Sequence, residues 1–408
     1  MTKVCHVTSV HPPEDVRIFQ KECVSLARAG YDVTLVQQGG DYEKDGVHIL
    51  GFGDIAPNRF QRMLMTAWRA YRRALEADAD VYHLHDPELL PYGLKLKKKG
   101  KKVIFDSHEN TLESVLQKEW IPAPLRKMVY HWFKAHQEGV CRQLNAVISV
   151  TPNIVEYFRS INSRTVQVAN FPILPAKMPP LPERSDRTLV FAGGISRQWN
   201  HHTIIRALEK LPDCEYLLCG IADTPYLQEL QALPAWERVR YLGRVPHGEV
   251  AALLAQSTVG MAVVSYSRNS DWKNGTMGNT KIFEEMLAGL PVICTNFVLW
   301  QEFVDRYHCG ICIDPENPGE IASAVQYLLD HPEEARQMGE NGRRAIKEEF
   351  NWGVEEKKLL ALYDALAAEG APASLNSAQM SPPRGAICVI LFLPLAVRAP
   401  RSLRKEAA

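Results

Sequence analysis

The sequence predicts an α/β protein made of two doubly wound, Rossmann-like domains. Short apolar runs alternate with helical patterns over most of the chain, which is typical of parallel sheets covered by helices. A proline-rich stretch interrupts this alternation near the middle of the chain, and the alternation restarts after it. The length of 408 residues exceeds what one ordinary core holds, so two domains are expected.

The first domain is predicted to span residues 1–175. Its apolar runs, interpreted as strands, are KVCHVTSV, DVTLVQQG, DVYHLHD, KKVIFDSHE and NAVISVT, and its first helix is RIFQKECVSLARAG. In open parallel sheets, ligands bind beyond the carboxyl ends of the strands. The cleft between the two domains, which both sets of strand ends would face, is therefore the expected site.

Prolines mark the end of the first domain. The stretch PILPAKMPPLPERSD can continue neither a helix nor a central strand, so residues 176–186 are predicted to be a linker. Residues 187–350 form the predicted second domain. The helix EEKKLLALYDALAAE, within residues 351–369, is expected to return to the first domain.

The tail at residues 370–408 differs in composition from both domains and is predicted to be disordered or loosely attached. Its apolar stretch AICVILFLPLAV is well short of the ~20 residues that span a bilayer. A surface anchor, a hairpin packed elsewhere and a segment without selected function all remain open.

Composition narrows the class of function. The 47 basic and 47 acidic residues cancel to a formal net charge of zero, which argues against a nucleic-acid binder that neutralises phosphates. The Met1 end runs straight into an apolar strand without the pattern of a signal peptide, so a cytoplasmic protein is expected. The nine cysteines are an odd number, lie mostly in apolar runs and are expected to be reduced and buried.

The stretch GNTKIFEEMLAGLPVICT carries the strongest candidate site. On a helical wheel the apolar face contains Ile282, Phe283, Met286 and Leu287. Asn279 or Thr280 can cap this helix, which leaves backbone N–H groups for a phosphate or a hydroxyl. Glu284, one turn inside, can accept hydrogen bonds from a cis-diol such as ribose. An exposed ion pair between Lys281 and Glu285, without a binding role, is the alternative.

The segment TKIFEEMLAGLPVI resembles the nucleotide-sugar-binding segment of the retaining glycosyltransferases of family 4, which read approximately N-K-x-x-E-x-M-A-x-G-x-P-V. The resemblance implies the GT-B fold, in which two Rossmann-like domains face each other across a cleft. It places the donor in the C-terminal domain and the acceptor in the N-terminal domain, and it implies that Glu284 holds the ribose of the donor. By the same resemblance RVRYLGRVPHGEVAALLAQS, with Arg244, and CGICIDPENPGEIASAV are later donor-domain elements. The likeness extends to about residue 368.

One departure from the family pattern concerns the transferred sugar. The family commonly carries a second glutamate eight residues before Glu284, and Thr276 stands at that position. Contacts to the sugar ring are then expected from Gly278, Asn279 and Thr280.

A second departure concerns the diphosphate. After the first strand of the donor domain the family often shows G-R-L-x-x-x-K-G, whose Arg and Lys neutralise the leaving group. In FAGGISRQWNHH the aligned positions are Gly194, which follows Gly193, and Trp199. Since cleavage builds negative charge, another cation should stabilise it. Arg197 is the first candidate and Lys281 the second, and a solvated loop residue is the alternative for Arg197.

Polar groups follow three apolar runs of the first domain, in HPPEDVRIFQKE, HLHDPELLP and FDSHEN. His108 resembles the family position beside the reacting anomeric centre, and a histidine satisfied within the core is the alternative. His85 lies in the preceding stretch, and Asp86 and Glu109 are the nearby carboxylates. These residues are predicted to line the acceptor side of the cleft.

Asp15 and Arg17 lie on the first loop, where the family places the chain against the donor phosphates and the acceptor. A sub-group of bacterial polysaccharide transferases shows a similar H-P-x-x-D-x-R-I-F-x-K-E opening and an H-D-P-E-L-L segment. A local ion pair between Asp15 and Arg17 is the alternative.

The stretch NRFQRMLMTAWRAYRRALEA is predicted to be a basic amphipathic helix. Its arginines are Arg59, Arg62, Arg69, Arg72 and Arg73. Such a face can lie on anionic lipid, and an ordinary solvated helix covering a sheet is the alternative.

The resemblance implies a retaining glycosyltransferase that moves a sugar from a UDP- or GDP-sugar to a saccharide or lipid-linked saccharide, in bacterial cell-surface polysaccharide synthesis. A cofactor and a metal are not expected, because basic side chains and helix N-termini replace the metal. The expected location is the cytoplasm, with peripheral contact at the inner face of the plasma membrane. A sugar-nucleotide epimerase of the same fold and a non-catalytic nucleotide-sugar-binding protein are the alternatives.

Overall fold

Two predominantly parallel sheets organise the chain, as the alternation of strands and helices predicts. The computed structural model describes residues 1–58, 61–108, 111–117, 121–184, 186–268 and 270–369. The strands of the first sheet are β1 (Lys3–Val7), β2 (Asp32–Gln37), β3 (Tyr42–Lys44), β4 (Val47–Gly51), β5 (Val81–Leu84), β6 (Lys102–Ser107), β7 (Ala146–Ser149) and β8 (Thr165–Gln167). Those of the second sheet are β9 (Thr188–Ala192), β10 (Glu215–Cys219), β11 (Val239–Gly243), β12 (Val259–Ala262), β13 (Val292–Thr295) and β14 (Gly310–Ile313).

The strand order of each sheet is doubly wound. It is β3-β4-β2-β1-β5-β6-β7-β8 in the first sheet and β11-β10-β9-β12-β13-β14 in the second. Neighbouring strands run parallel, apart from the antiparallel pair of β3 and β4 at one edge. The sequence analysis does not predict β3, because all its residues are exposed. In each sheet the chain first adds strands on one side of the first strand, β1 or β9, and then on its other side. Open α/β sheets bind ligands at this point, beyond the carboxyl ends of the strands.

Helices cover both faces of each sheet. Those of the N-terminal half are α1 (Val24–Arg28), α2 (Ala67–Glu76), α3 (Leu90–Lys98), α4 (Thr111–Gln117), α5 (Ala123–Cys141) and α6 (Pro152–Arg159). Those of the C-terminal half are α7 (His201–Leu208), α8 (Thr224–Gln231), α9 (His247–Gln256), α10 (Thr280–Leu287), α11 (Val298–Tyr307), α12 (Pro318–Asp330), α13 (Pro332–Glu348) and α14 (Trp352–Ala368). Wide helical turns at Val16–Cys23 and Arg62–Thr66 lead directly into α1 and α2.

The last helix, α14, packs on the first sheet although it follows the second in sequence. Trp352, Leu359 and Tyr363 belong to one buried cluster with residues of β1, β2, β4 and β6. The Trp352 indole donates to Ser25 Oγ at 2.9 Å. The chain therefore crosses back to the N-terminal domain, through the segment that also contacts the irregular stretch between β8 and β9 at Pro172.

Two adjacent glutamates of α10 have different environments. Sequence analysis places Glu285 on the charged face, and this is wrong, because Glu285 is buried against β12. Gly260 leaves the room for it, since a Cβ at that position would lie 2.6 Å from Glu285 Oε2. Burial raises the pKa of Glu285 well above its ordinary value. The helix ends before Gly289, whose φ of +74° suits glycine.

The segment from Arg62 to Glu76 is amphipathic, but its basic groups are largely engaged within the protein. Its inner face packs Ala67, Ala70 and Ala74 on the sheet. Two of the arginines lie near carboxylates, Arg62 at 3.6 Å from Glu88 and Arg73 in an ion pair with Asp41. Arg69 donates to Thr66, and Arg72 stacks on Trp68. Arg59 and the tail at 370–408 lie outside the described residues. Within the described part of the chain, no helix is both long and apolar enough to cross a bilayer.

Candidate active site

The N-terminus of α10 opens toward the N-terminal domain. Asn279 stands at the cap position, yet its side chain makes no capping hydrogen bond, and its buried amide nitrogen lacks a hydrogen-bond partner. Gly278 touches Thr151, because a Cβ on Gly278 would lie 3.1 Å from the Thr151 methyl group. Thr280 is the first residue of the helix. Polar groups of this turn therefore remain available for a ligand at the interface of the two domains.

Glu284 and Lys281 form a partly exposed pair on the first turns of α10. Lys281 Nζ donates to Glu284 Oε2 at 2.9 Å, and each side chain keeps about a quarter of its surface exposed. The Lys281 stem lies against Gly193, where a Cβ would come within 2.9 Å of Lys281 Cε. The absence of a side chain at Gly193 therefore lets Lys281 cross the turn after β9, where the family pattern has its diphosphate-binding residues.

Lys21 brings a second cation to Glu284 from the N-terminal domain. Its Nζ donates to Asn170 Oδ1 at 2.6 Å, and the residue is buried. Burial and the charge of Arg17 together lower the pKa of Lys21 to about 7, although the negative charge of Glu284 opposes both. Lys21 is therefore close enough to Glu284 to interact electrostatically with it across the two domains.

A cavity of about 620 Å³ opens beside Lys21 and Glu284. Its wall is largely apolar and comes from the inter-domain segment, α9 and α10, for example Leu174, Leu254 and Leu287. The volume is in the range of pockets that hold small organic ligands. A carboxylate and an amine at the edge of an apolar cavity can orient a ligand that has one apolar and one polar part.

The structure changes the order of the two candidate cations. Arg197 donates to Glu229 Oε2 at 2.6 Å and stacks on Tyr226, with 66% of its side chain exposed. Its guanidinium is thus held by residues of α8, on the outside of the domain. Lys281 packs on the turn that Gly193 and Gly194 form and is the better placed cation. Gly194 faces open space, and Arg244 is exposed just after β11.

On the N-terminal side, Asp86 and His11 form a paired site where β1 and β5 end. Asp86 Oδ1 lies 3.2 Å from His11 Nδ1, and Asp86 Oδ2 accepts from the Ser9 amide at 2.6 Å and the Thr8 hydroxyl at 2.8 Å. Burial alone would raise the pKa of Asp86, but His11 and these donors hold it at about 2. Burial likewise opposes charge on His11, yet Asp86 raises its pKa above the ordinary value.

His108 stands beside this pair with 16% of its side chain exposed. Its ring lies 5.2 Å from that of His11, and its Nε2 is 3.1 Å from His85 Nδ1. Burial lowers the pKa of His108 to about 3, so the ring is neutral at physiological pH. His85 itself is buried and supports His108 from behind. The adjacent strand β7 leads to Thr151, so Gly278 of the donor helix abuts the same edge of the sheet.

Asp15 and Arg17 both make hydrogen bonds within the N-terminal domain. Asp15 caps the helical turn at Val16–Cys23, since its Oδ1 accepts from the amides of Arg17 at 2.9 Å and Ile18 at 3.1 Å. Arg17 is buried and forks onto Asp106, with Nη2 2.9 Å from Oδ2, while Nη1 donates to Val168 O at 3.0 Å. Arg17 therefore does not face the acceptor as predicted, and its guanidinium pairs with Asp106 and not with Asp15. For Asp15, which is half-buried, the contact with the acceptor stays a prediction. Glu109 lies outside the described residues.

Sequence reasoning missed five buried polar residues, of which four lie behind His108 and one, Lys21, lies near Glu284. They are His6, Lys21, Glu22, His83 and Asp106. All five are buried within elements that otherwise read as apolar, and Lys21 and Glu22 directly follow the predicted loop. The available signal was the presence of charged and imidazole side chains inside central strands, where a polar group needs a partner.

Two groups of side chains hold metal-ligating atoms within 4.8 Å of one another. They are His6, Glu22, His83 and His85, and His85, Asp106 and His108. In the first group His6 Nδ1 and His85 Nε2 face each other at 2.9 Å, closer than the roughly 3.4 Å between two ligands of a tetrahedral zinc ion with ~2.05 Å bonds. These rings make a hydrogen bond to each other, so the group fits a hydrogen-bonded network better than a metal centre. The expectation of a metal-free protein stays a prediction.

Comparisons with known proteins match the two halves of the chain separately. Residues 20–173 match the family described as Glycosyltransferase Family 4, and residues 177–345 match Glycosyl transferases group 1. Spore coat protein SA of Bacillus subtilis is 26% identical over 191 residues, which cover 44% of this chain and 48% of that protein. The chain thus spans less than half the length of the first curated relatives that it matches.

Solved structures match over nearly the whole described chain. Sucrose-phosphate synthase from Thermosynechococcus elongatus has a TM-score of 0.68 at 18% identity, over 90% of this chain and 100% of that chain. Anabaena HepE in complex with UDP-glucose has a TM-score of 0.66 at 13% identity, with the same coverage. At such identities the likeness establishes the fold, in which two Rossmann-like domains lie in one chain.

Proposed function

Because this chain belongs to the glycosyltransferases of the GT-B fold, with a family 4 domain followed by a group 1 domain, we propose that it transfers a sugar from a nucleoside-diphosphate sugar. The acceptor is a hydroxyl of a saccharide or a lipid-linked saccharide. The bond between the anomeric carbon and the diphosphate oxygen breaks, and a bond from that carbon to the acceptor oxygen forms with retention of configuration.

The observation that carries this proposal is the position of Glu284. Its carboxylate lies on the first turns of α10, beside Lys281 and opposite Lys21, at the edge of the 620 Å³ cavity. A carboxylate in this setting can accept two hydrogen bonds from the hydroxyls of a ribose. The apolar wall beside it suits the base, and the two amines suit the diphosphate.

Lys281 stabilises the leaving group in this proposal. Negative charge grows on the diphosphate as its bond to the sugar breaks, and a fixed cation lowers the energy of that transition state. Lys281 crosses the turn at Gly193, where a Cβ would touch its stem. It therefore takes the part of the family's missing Arg and Lys, in place of Arg197, which Glu229 already engages.

His108 meets the sugar from the N-terminal domain. The family's usual account has the acceptor attack from the side of the leaving group, whose phosphate oxygen takes the acceptor proton. No side chain then has to act as the base, which agrees with a pKa of His108 lowered to about 3, because so weakly basic a ring accepts a proton poorly. Its role is to bind and orient the sugar.

The proposed setting is bacterial cell-surface polysaccharide synthesis at the cytoplasmic face of the membrane. The motif likeness to bacterial polysaccharide transferases supports it, as does an exposed apolar patch of Met63, Leu64, Met65 and Trp68. The HepE structure named above contains UDP-glucose, which supports UDP as one of the donor bases to test first.

The proposal is tested with a panel of nucleoside diphosphates in a thermal-shift assay. A ligand present at 100 times its Kd adds about 2.7 kcal/mol of apparent stability, so the preferred base should raise the Tm clearly above the others. If no nucleoside diphosphate changes the Tm, and calorimetry detects no binding, the proposal is overturned.

Turnover separates this function from its rivals. The purified protein is incubated with the sugar nucleotides of the preferred base and with an extract that contains lipid-linked saccharides. An elongated saccharide supports the transferase. A changed donor without an elongated product indicates an epimerase, and binding without any conversion indicates a non-catalytic protein.

A further inference from the structure

A buried chain of hydrogen bonds runs from the last helix of the protein to His108. Tyr363 OH lies 3.1 Å from His6 Nε2. His6 Nδ1 lies 2.9 Å from His85 Nε2, and His85 Nδ1 lies 3.1 Å from His108 Nε2. Apart from His108, every member is fully or almost fully buried. Tyr363 lies in α14 and His6 in β1, while His85 and His108 directly follow β5 and β6. The hydrogen-bonded chain therefore connects the last described helix to the first strand.

The buried imidazoles of this hydrogen-bonded chain are neutral. Burial lowers the pKa of His6 well below its ordinary value and lowers those of His85 and His108 as well. A neutral imidazole carries one N–H and one lone pair. Each ring must therefore donate on one side and accept on the other, so the whole chain points in one of two directions.

Asp106 distinguishes the two directions. Its Oδ2 lies 3.7 Å from His85 Nδ1 and 3.8 Å from His108 Nδ1. If the chain donates toward the cleft, both of these nitrogens carry protons that face the carboxylate. In the opposite direction both present lone pairs to a negative charge, which is unfavourable.

One contact favours the opposite direction but is outweighed. His83 Nε2 lies 3.9 Å from Asp106 Oδ2, and His83 Nδ1 lies 2.8 Å from Tyr363 OH. When Tyr363 donates to His6, His83 must donate to Tyr363, so its Nε2 lone pair faces Asp106. All three contacts are to the same oxygen of Asp106, and the two N–H groups of His85 and His108 outweigh the single lone pair of His83.

We propose that Tyr363, His6 and His85 are positioning residues that hold His108 as a neutral imidazole with its proton on Nδ1. Because Nε2 of His108 accepts the bond from His85 and its Nδ1 proton faces Asp106, the ring presents no free lone pair and cannot accept a hydrogen bond from a hydroxyl of the sugar. The role at the sugar rests on the proposed function. The proton position does not, because it belongs to the free protein.

Several titratable groups face this chain and take part in its electrostatics. They are His11, Arg17, Glu22, His83, Asp86 and Asp106. Burial raises the pKa of Glu22 well above the ordinary value. Glu22 does not decide the direction of the bond between His6 and His85, because its Oε2 lies 3.8 Å from His6 Nδ1 and 3.9 Å from His85 Nε2, and one of these two nitrogens carries a proton in either direction. Asp106 remains ionised, since Arg17 and the histidines outweigh its burial and hold its pKa well below the ordinary value.

The test is nitrogen-15 NMR of protein labelled at its histidine rings, recorded without any substrate. A nitrogen that carries a proton and one that carries a lone pair have clearly different shifts. The wild-type protein should show His108 as a single tautomer with the proton on Nδ1 at neutral pH. Protonated Nε2, or an even mixture, would overturn the proposal.

Variants at His85 test whether the chain sets this tautomer. His85→Phe removes the donor to His108, so a substantial fraction of His108 should move its proton to Nε2. His85→Asn keeps an amide N–H near the place of Nδ1 and should restore the wild-type tautomer. If His85→Phe leaves His108 unchanged, the chain does not position it.

Tyr363→Phe keeps the test decisive if His85→Phe fails to fold. It should shift the signals of His6 and His83 and raise the Nε2-protonated fraction of His108. Unchanged His108 signals would show that Tyr363 does not position His108.

Tyr216→Phe is the matched control, because Tyr216 OH lies 3.0 Å from the buried His201 Nδ1 in the other domain. It should leave His108 unaffected. Nucleoside diphosphate binding, measured separately, reports on the proposed function alone.

Discussion

Two neighbouring carboxylates of α10 illustrate how position decides the role of a residue. Glu285 points at Gly260 and is buried, and burial raises its pKa well above the ordinary value. Glu284 is one residue earlier, keeps about a quarter of its surface exposed and pairs with Lys281 at 2.9 Å. Since a ligand can reach only Glu284, the ribose contact is assigned to it.

Glu284→Ala should weaken nucleoside diphosphate binding by about 1 to 3 kcal/mol, because charge-assisted hydrogen bonds to the ribose are lost. Calorimetry with the preferred nucleotide measures this. Glu333→Ala is the control, since Glu333 also sits three residues from a basic partner on a helix, in the exposed pair with Arg336. Equal affinity in the Glu284 variant and the control would refute the contact.

Lys281→Met should lower kcat by roughly 10- to 100-fold with the preferred sugar nucleotide, because the leaving diphosphate loses its cation. Arg197→Met should change kcat by less than about threefold, since the charge of Arg197 is engaged by Glu229. Steady-state kinetics of the two variants compare the candidates directly. A larger loss at Arg197 would reverse the assignment.

The His11–Asp86 pair should make stability depend on pH. The pKa of His11 is raised in the folded protein, so its contribution is complete below the unfolded value of about 6.5 and is lost as the pH rises through the folded value. The pKa of Asp86 is lowered to about 2, so its contribution is present above about 3.9. The pair therefore stabilises most between about pH 4 and 6.5.

His11→Gln should accordingly lower the free energy of unfolding by about 1 kcal/mol at pH 5.5 and by less at pH 9. Urea unfolding at the two pH values measures the difference. His48→Gln, at an exposed histidine of β4, should change the free energy by less than ~0.5 kcal/mol. A loss for His11→Gln that is the same at both pH values would contradict the ion pair.

At the scale of elements, the segment from Arg62 to Glu76 covers the first sheet with one side and leaves an apolar patch exposed on the other. Its alanines cover the sheet, as in an ordinary helix. Its outer side leaves Met63, Leu64, Met65 and Trp68 exposed by 48%, 52%, 56% and 47%. Because most of the arginines already have partners, attraction to a membrane would depend more on apolar insertion than on charge.

The double variant Met65→Ser/Trp68→Ser should therefore lose binding to vesicles that contain anionic lipid. Flotation of the wild-type protein should persist at moderate salt, because apolar contacts are not screened. Trp272→Ala, at an exposed tryptophan of the other domain, should float like the wild type. Absence of wild-type flotation even at low salt would rule out the membrane contact.

For the whole molecule, the sequence predicts the architecture well because local patterns determine it. Alternation of apolar runs and helical patterns identifies both sheets, and the fold is that of the solved glycosyltransferases. The edge strand β3 has no such pattern, since all its residues are exposed.

The site could be predicted only in part. Glu284 and His108 follow from motifs, but Arg17 finds Asp106 across 89 residues of sequence, and Lys21 approaches Glu284 from another domain. Such pairs depend on tertiary placement, which a local pattern does not contain. The same reason explains why Tyr363, 357 residues from His6, has no signal in the sequence.

The central claim is that the cleft holds a donor nucleotide by the side chain of Glu284. A crystal structure with bound UDP or GDP tests it most directly. We expect both ribose hydroxyls within hydrogen-bond distance of the Glu284 carboxylate, with the diphosphate beside Lys281. A nucleotide bound elsewhere, with the Glu284 carboxylate in contact with solvent alone, would contradict the account.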